Sequence, residues 1–382
     1  MNKFCNTFDI KDFEKLSNNT KEKFRHLSKY IIKNSKGNIP LATIISNYYN
    51  KIPLENYNYI LEPCSINALY NKEKNMYVIV FGEYHVKIKE YQKYKQKCKQ
   101  KSNNNQVSIG TYIKQLVSTQ PYFFDIFLEE TYVKEFNFPV KGSIGIHNIK
   151  NEFSKCFITS LRDKTSYPNV RCHLSNLRES LPYNTLKKII SKQNIITDED
   201  LKTLLLGNIK SASNVCNQQT IDKIDFKLFE SIQKILLKSQ DKVFKQYNKL
   251  LPEQLRKQIK QHVTLYAWEH YYKILFYSNI ATGCKTKKSS EKYIDFLRNT
   301  IITAPLLDYY ILLRLFRTFE NKNPYTPNTM NNIIIYTGDA HAGMYSYVLD
   351  KLGFVSTYSN NICGEYGQIA CVSIKDFKFR QI

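Results

Sequence analysis

Acidic residues are few in this chain: 33 Asp and Glu stand against 56 Lys and Arg, a formal charge of +23. Such a surplus favours anionic partners, nucleic acid or an anionic membrane surface, through long-range steering. No RNA- or DNA-binding signature accompanies it, and Gly, Pro and Ala are scarce while Lys, Asn, Ile and Tyr abound. That is the bias of an AT-rich coding sequence, so charge alone does not define a function. The nine cysteines include no Cys-x-x-Cys pair, and their odd number argues against a complete disulfide framework. A reduced, cytoplasmic setting is therefore expected. The first residues hold no uninterrupted apolar segment of secretory type. The most apolar long stretch, 293–316, is broken by Arg298, Asp308 and Arg314, which excludes a bilayer-spanning helix.

At 382 residues the chain suffices for one large or two ordinary domains. Residues 1–70 mix polar and apolar positions at helical spacing and predict a helical lead-in. Short β-type runs follow at 76–81 (MYVIVF), 122–128 (YFFDIFL) and 170–174 (VRCHL), so that 71–181 reads as the first part of an α/β core. A Lys-rich stretch, 87–101, suits a solvated connection beside the first strand. Residues 182–292 read helical and polar, as an insertion or cap. The core resumes over 293–382 with the run 333–337 (IIIYT), a helix near 342–351 and a last strand at 368–374. Strands alternating with helices predict an α/β fold with a mostly parallel central sheet flanked by helices, plus the large helical insertion.

Two copies of one pattern stand directly after strand-type runs: Gly82-Glu83-Tyr84-His85 and Gly338-Asp339-Ala340-His341. In each, Gly allows a sharp exit from the strand, with positive φ where the backbone needs it. The carboxylate and the imidazole then project from the strand's end. In an open α/β sheet ligands bind outside the carboxyl ends of the strands, so folding would bring the two copies to one crevice. His85 and His341 suit metal binding or proton transfer. The run 122–128 ends in Glu129 and Glu130, of which one faces the crevice because successive strand residues alternate; Glu129, which leaves the apolar run directly, is preferred.

Further candidates are Arg171, His173 and Arg178 around the third run. An Arg there either holds a carboxylate through a bidentate pair or binds a substrate anion. Asp308, inside an apolar helix-type segment, needs a partner, and Arg178 or Arg314 would supply one. His147, His262 and His270 read as structural.

The paired motifs resemble the broad Gly-x-x-His superfamily of TraB and pheromone-shutdown proteins, Tiki proteases, erythromycin esterases and haem-binding ChaN-like proteins. GEYH and GDAH also look similar to proteins of large DNA viruses, which would place the chain in host cytoplasm or a virion. The resemblance implies an α/β core in which His85 and His341 are the site histidines and Glu129 or Glu130 the strand-end acid. Glu83 departs from the Tiki pattern and is nearer to the esterases. Segment 182–292 has no counterpart in the family.

Together these readings predict a hydrolase of peptidase or esterase type that activates water at the two motifs. In one form a divalent ion (Mn, Co or Zn) sits on His85, Glu129 and His341, with Glu83 or Asp339 as general base. In the other, Glu83 or Glu129 with His85 deprotonates water directly. Arg171 and Arg178 would bind substrate. The competing class is a non-catalytic virion or host-interaction protein whose basic surface engages nucleic acid or another acidic partner.

Overall fold

The computed structural model describes residues 17–23, 25–26, 57–84, 92, 95–96, 98, 105–120, 122–129, 143–158, 167, 169–175, 196–206, 219, 223–239, 241–276, 304–319, 327–363 and 371–379. Most of the Lys-rich stretch falls outside them, as do His85, Glu130 and Arg178.

The apolar runs before the two motifs are strands β3 (Met76–Glu83) and β7 (Asn332–Gly338), and every residue of both is buried. Burial on both faces explains why these runs do not alternate polar and apolar. They pair in parallel, with Gly82 opposite Thr337 and Glu83 opposite Gly338. Strand β5 (Phe124–Leu128) pairs in parallel with β7 on one side and with β6 (Val170–Leu174) on the other. Strand β2 (Pro63–Asn71) lies antiparallel to β3, and β8 (Val355–Asn361) antiparallel to β2. The six-stranded order is β6-β5-β7-β3-β2-β8. The sheet is mixed, not mostly parallel as expected. The reason is local: β2 and β3 are separated by a short turn through Asn75 at φ 47°, and so short a link joins only antiparallel neighbours.

Three further strands, β4 (Gln106–Ser108), β1 (Tyr59–Leu61) and β9 (Cys371–Ser373), form a small separate sheet. In the stretch read as a helical lead-in, the described residues 18–23 are helical, whereas its end holds β1 and most of β2. Glu62, at φ 83° and 2% exposed, turns the chain from the small sheet into the large one. Its carboxylate accepts from the amide of Ile109 at 2.7 Å and from Asn148 Nδ2 at 3.0 Å. It thereby caps helix α1 (Ile109–Thr119) and ties it to α2 (Ile144–Glu152). Past the short helix α3 (Ser154–Ile158), the chain enters β6.

One face of the large sheet, with Tyr77, Ile79, Phe81, Phe124, Ile126, Leu128, Ile334 and Tyr336, joins α1 and α2 in the main core. By alternation Val78, Val80, Ile333, Ile335, Asp125, Phe127 and Glu129 point the other way. The chain divides at Leu174/Ser175 and Arg317/Thr318 into two units, the sheet-bearing one and Ser175–Arg317. The second unit contains α4 (Glu199–Leu206), α5 (Phe226–Ser239), α6 (Asp241–Leu250), α7 (Glu253–Tyr266) continuing as a π-helix (Ala267–Phe276), and α8 (Ala304–Leu315). Helix α8, expected in the second part of the core, belongs to this unit. It is apolar nearly all round because it is buried nearly all round. Its one acid, Asp308, accepts from Tyr271 Oη at 2.9 Å, while Arg314 donates to Tyr310 Oη.

After β7 the chain turns at once into α9 (Asp339–Lys351), which packs on β3, β2 and β7. Gly353, at φ +82°, closes α9 and leads into β8. Among the described residues three disulfides, Cys64–Cys363, Cys98–Cys371 and Cys156–Cys172, staple the sheet-bearing unit. They do not fit the reduced setting expected from the sequence. The odd cysteine count and scattered spacing hid them because partners lie up to 299 positions apart. Among the described residues, no helix is long and apolar enough to cross a membrane.

Candidate active site at the carboxyl edge of the sheet

Strands β3, β7 and β5 end at one level. Glu83 sits opposite Gly338, Leu128 opposite Tyr336, and the amide of Glu129 donates to the Tyr336 carbonyl at 3.1 Å. The second motif straddles this edge: Gly338 closes β7 and caps α9, and Asp339 and His341 occupy the helix's first turn. A carboxylate there meets the positive end of the helix dipole.

Glu129 is 5% exposed, a burial that a carboxylate tolerates only with partners. Its Oε2 accepts from Thr337 Oγ1 at 2.7 Å and from the Gly338 amide at 2.9 Å. Its Oε1 lies 3.7 Å from His341 Nε2. One oxygen is thus anchored to the end of β7 while the other is directed at the imidazole. An acid so fixed sets a carboxylate oxygen within ion-pair distance of the ring, and an imidazole at the sheet's edge is the kind of group that serves as a general base. The His341 side chain keeps 12% of its surface, enough to be reached from the edge.

Asp339 faces another group. Ser65 Oγ, from β2, donates to its Oδ1 at 2.6 Å. Burial pushes the Asp339 carboxyl above its ordinary value, and the Ser65 hydrogen bond offsets part of that rise. Gly82 makes this approach possible: a Cβ there would stand 2.3 Å from Ser65 Oγ and 2.6 Å from Asp339 Oδ1. The motif glycine is required for space and not, as expected, for positive φ, since among the described residues the one glycine at positive φ is Gly353.

Glu83 is the main departure from the expected single site. It shares parity with Tyr77, Ile79 and Phe81, so it projects to the face opposite Glu129. There, 3% exposed, it accepts from Tyr336 Oη at 2.6 Å. The start of α2 presses on this pair: a Cβ at Gly145 would lie 1.7 Å from Tyr336 Oη and 2.9 Å from Glu83 Oε2.

Arg171 is not placed to bind substrate. It is 4% exposed, and its Nε and Nη2 grip Asp125 at 2.5 and 3.1 Å. Its Nη1 donates to the Pro327 carbonyl, and the guanidinium lies 3.9 Å from the Phe319 ring centroid. His173 Nε2 adds a 2.8 Å hydrogen bond to the same Asp125 oxygen. Burial pushes the Asp125 carboxyl up, but the His173 hydrogen bond and the Arg171 charge outweigh it and hold the carboxyl below its ordinary value.

Of the expected metal set, the structure describes Glu129 and His341, and they lie side by side; His85 is outside the described residues, as is the substrate candidate Arg178. Among the described residues the group of three metal-type ligands within reach of one another is instead Cys64, Asp339 and Cys363, whose two sulfurs are joined as a disulfide. Sequence reasoning missed Ser65, Tyr336 and Thr337. The last two directly precede the second motif, and their opposite parity was the available signal. Ser65 carried none, because nothing local marks β2 as its neighbour.

Comparison with protein-family models, with curated proteins and with solved structures finds no match to this chain. The superfamily resemblance rests on the two motifs and the strands before them.

Proposed function

We propose that the chain is a hydrolase in which His341, held by Glu129, takes a proton from water at the carboxyl edge of the sheet. The observation that supports this reading is the division of labour within Glu129: Oε2 fixed by Thr337 and Gly338, Oε1 at 3.7 Å from His341 Nε2. An unoriented imidazole would lose activity through misplacement, since proton transfer needs hydrogen-bond reach and alignment. Glu83 and Tyr336 act from the other face by fixing the end of β3 from which the first motif leaves. Where a divalent ion enters the reaction, Glu129 and His341 are the described residues that would hold it. Its chemistry would be to lower the pKa of bound water.

The substrate class is an ester or peptide bond, and the three disulfides favour a non-reducing compartment. The test is hydrolysis of a panel of activated esters and peptides by the full chain, by His341→Ala and by Glu129→Gln. Each variant is expected to keep its circular dichroism and to lose about 100-fold or more in kcat/KM, the usual worth of a general acid–base group. Wild-type rates in both variants overturn the reading. Bound metal measured in wild type and His341→Ala distinguishes the two chemical forms, and equal metal content in both removes the metal form. The charge of +23 supports a second reading, a binding module for an anionic partner. Salt-sensitive retention of a polyanion, untouched in His341→Ala and without turnover of any substrate, would favour it.

A further inference from the structure

The hydrolase reading leaves Asp339 without a task, although the motif places it beside His341. Its surroundings point elsewhere. The Asp339 carboxylate and the sulfurs of Cys64 and Cys363 all lie within 4.8 Å of one another. Cys64 stands near the start of β2, Cys363 just beyond the end of β8, and Asp339 at the start of α9, so three elements deliver them to one end of the sheet. Ser65 Oγ, 2.6 Å from Asp339 Oδ1, orients the carboxylate as an outer-shell hydrogen bond orients a metal ligand.

We propose that Cys64, Cys363 and Asp339 form a redox-gated metal site: shut while the sulfurs are joined, and competent for a thiophilic divalent cation such as Zn²⁺ once an external dithiol has reduced them. The balance is complete. The dithiol transfers two electrons and two protons, the sulfur–sulfur bond breaks, two thiols form, and the reductant leaves as its own disulfide. A divalent ion then displaces the two thiol protons and binds two thiolates and one carboxylate, a soft donor set that selects zinc over magnesium or calcium.

The geometry needs little rearrangement. Zinc bonds of about 2.3 Å to sulfur and about 2.0–2.2 Å to oxygen put tetrahedral ligand atoms roughly 3.3–3.8 Å apart. That spacing falls inside the observed 4.8 Å envelope. Only the sulfurs must part, and Cys363 is partly exposed, so its side chain has room to turn. Three protein ligands leave a fourth position for water, as in catalytic zinc centres. The other two disulfides lack this feature: among the described residues no metal-type ligand joins Cys98–Cys371 or Cys156–Cys172 in such a group. The inference does not depend on the hydrolase reading, since neither Glu129 nor His341 enters it.

The test uses Co²⁺ as the probe. The full chain is reduced with a water-soluble phosphine, freed of it by anaerobic desalting, and titrated with Co²⁺ beside an unreduced sample. The expected result is one equivalent bound with thiolate-to-cobalt charge-transfer absorption in the reduced chain and none in the oxidised chain. That absorption disappears in Cys64→Ser and in Cys363→Ser, and persists in Cys98→Ser. Asp339→Asn retains both thiolates and is expected to weaken binding at least tenfold. Absence of the band while thiol labelling shows Cys64 and Cys363 reduced overturns the proposal, as does a band that survives in Cys64→Ser. Circular dichroism is followed in parallel, and loss of structure on reduction that one equivalent of Co²⁺ does not restore also overturns it.

Discussion

At the scale of single residues, the site depends on close approaches that a change of one or two atoms would disturb. Gly82 faces Ser65 and Asp339 across a gap with no room for a methyl group. Gly82→Ala is expected to cost about 1–3 kcal/mol, the usual range for overpacking. Urea unfolding measures it, and a change below about 0.5 kcal/mol would show that Ser65 and Asp339 simply move aside. Thr337 tests orientation instead of space. Thr337→Val keeps the shape but removes the 2.7 Å donor to Glu129 Oε2, while the Gly338 amide at 2.9 Å stays in place. Activity is expected to fall about tenfold or more through a looser His341, the scale found for outer-shell partners. Unchanged kcat in a folded Thr337→Val would dissociate Glu129 from catalysis. Glu129 and His341 were legible in the sequence because each leaves an apolar run at its carboxyl end. Glu83 was misread for a specific reason. Motif repetition suggested equal roles, but parity along β3 and β5 sends Glu83 and Glu129 to opposite faces.

At the scale of elements, the parallel strands β3, β5 and β7 were readable because burial on both faces leaves a mostly apolar run. Strand β6 is the exception: its burial alternates, and its buried Arg171 and His173 are satisfied by Asp125 of β5. Strands β2 and β8 were not readable. β8 is a largely exposed edge strand of polar sequence, and its place comes from pairing with β2. The β5–β6 pair carries the clearest prediction at this scale. Asp125 holds Arg171 and His173 across the two strands, so Asp125→Asn leaves a buried guanidinium without its counter-charge. The expected loss is about 3–5 kcal/mol at neutral pH. The sign with pH follows from the lowered carboxyl. The unfolded chain binds this proton near the ordinary value of 3.8, the folded chain only below it. The ionised carboxylate's contribution is therefore complete above the unfolded value and vanishes as pH falls through the folded one. Urea unfolding over an acid pH series should show wild type losing its advantage over Asp125→Asn in that window. A constant gap, or no gap at pH 7, would mean that the cluster contributes nothing net.

At the scale of the whole molecule, two properties act on every element at once: the disulfides and the charge. Two of these disulfides could not be read from spacing, because segments distant in sequence bring the sulfurs together, as β9 brings Cys371 to Cys98. The charge could be read, and its physical consequence is self-repulsion. A surplus of +23 on one chain raises the energy of the compact state relative to the expanded one, where the same charges stand farther apart. Dissolved salt screens that repulsion over a Debye length of about 10 Å at 0.1 M. Ion pairs weaken with salt as well, so the net sign depends on which predominates. Exposed pairs such as Lys257–Glu253 and Lys234–Glu230 contribute little each, and the buried Asp125 cluster is screened least. Repulsion should therefore dominate. The urea midpoint is expected to rise from low ionic strength to about 0.15 M NaCl and then to level off, as screening saturates. Sodium chloride is the appropriate salt, because sulfate also strengthens apolar burial. A midpoint that stays flat or falls over that range would mean that the positive surplus is already compensated within the fold. The basic surface would then be available to an anionic partner at no cost to stability when that partner leaves.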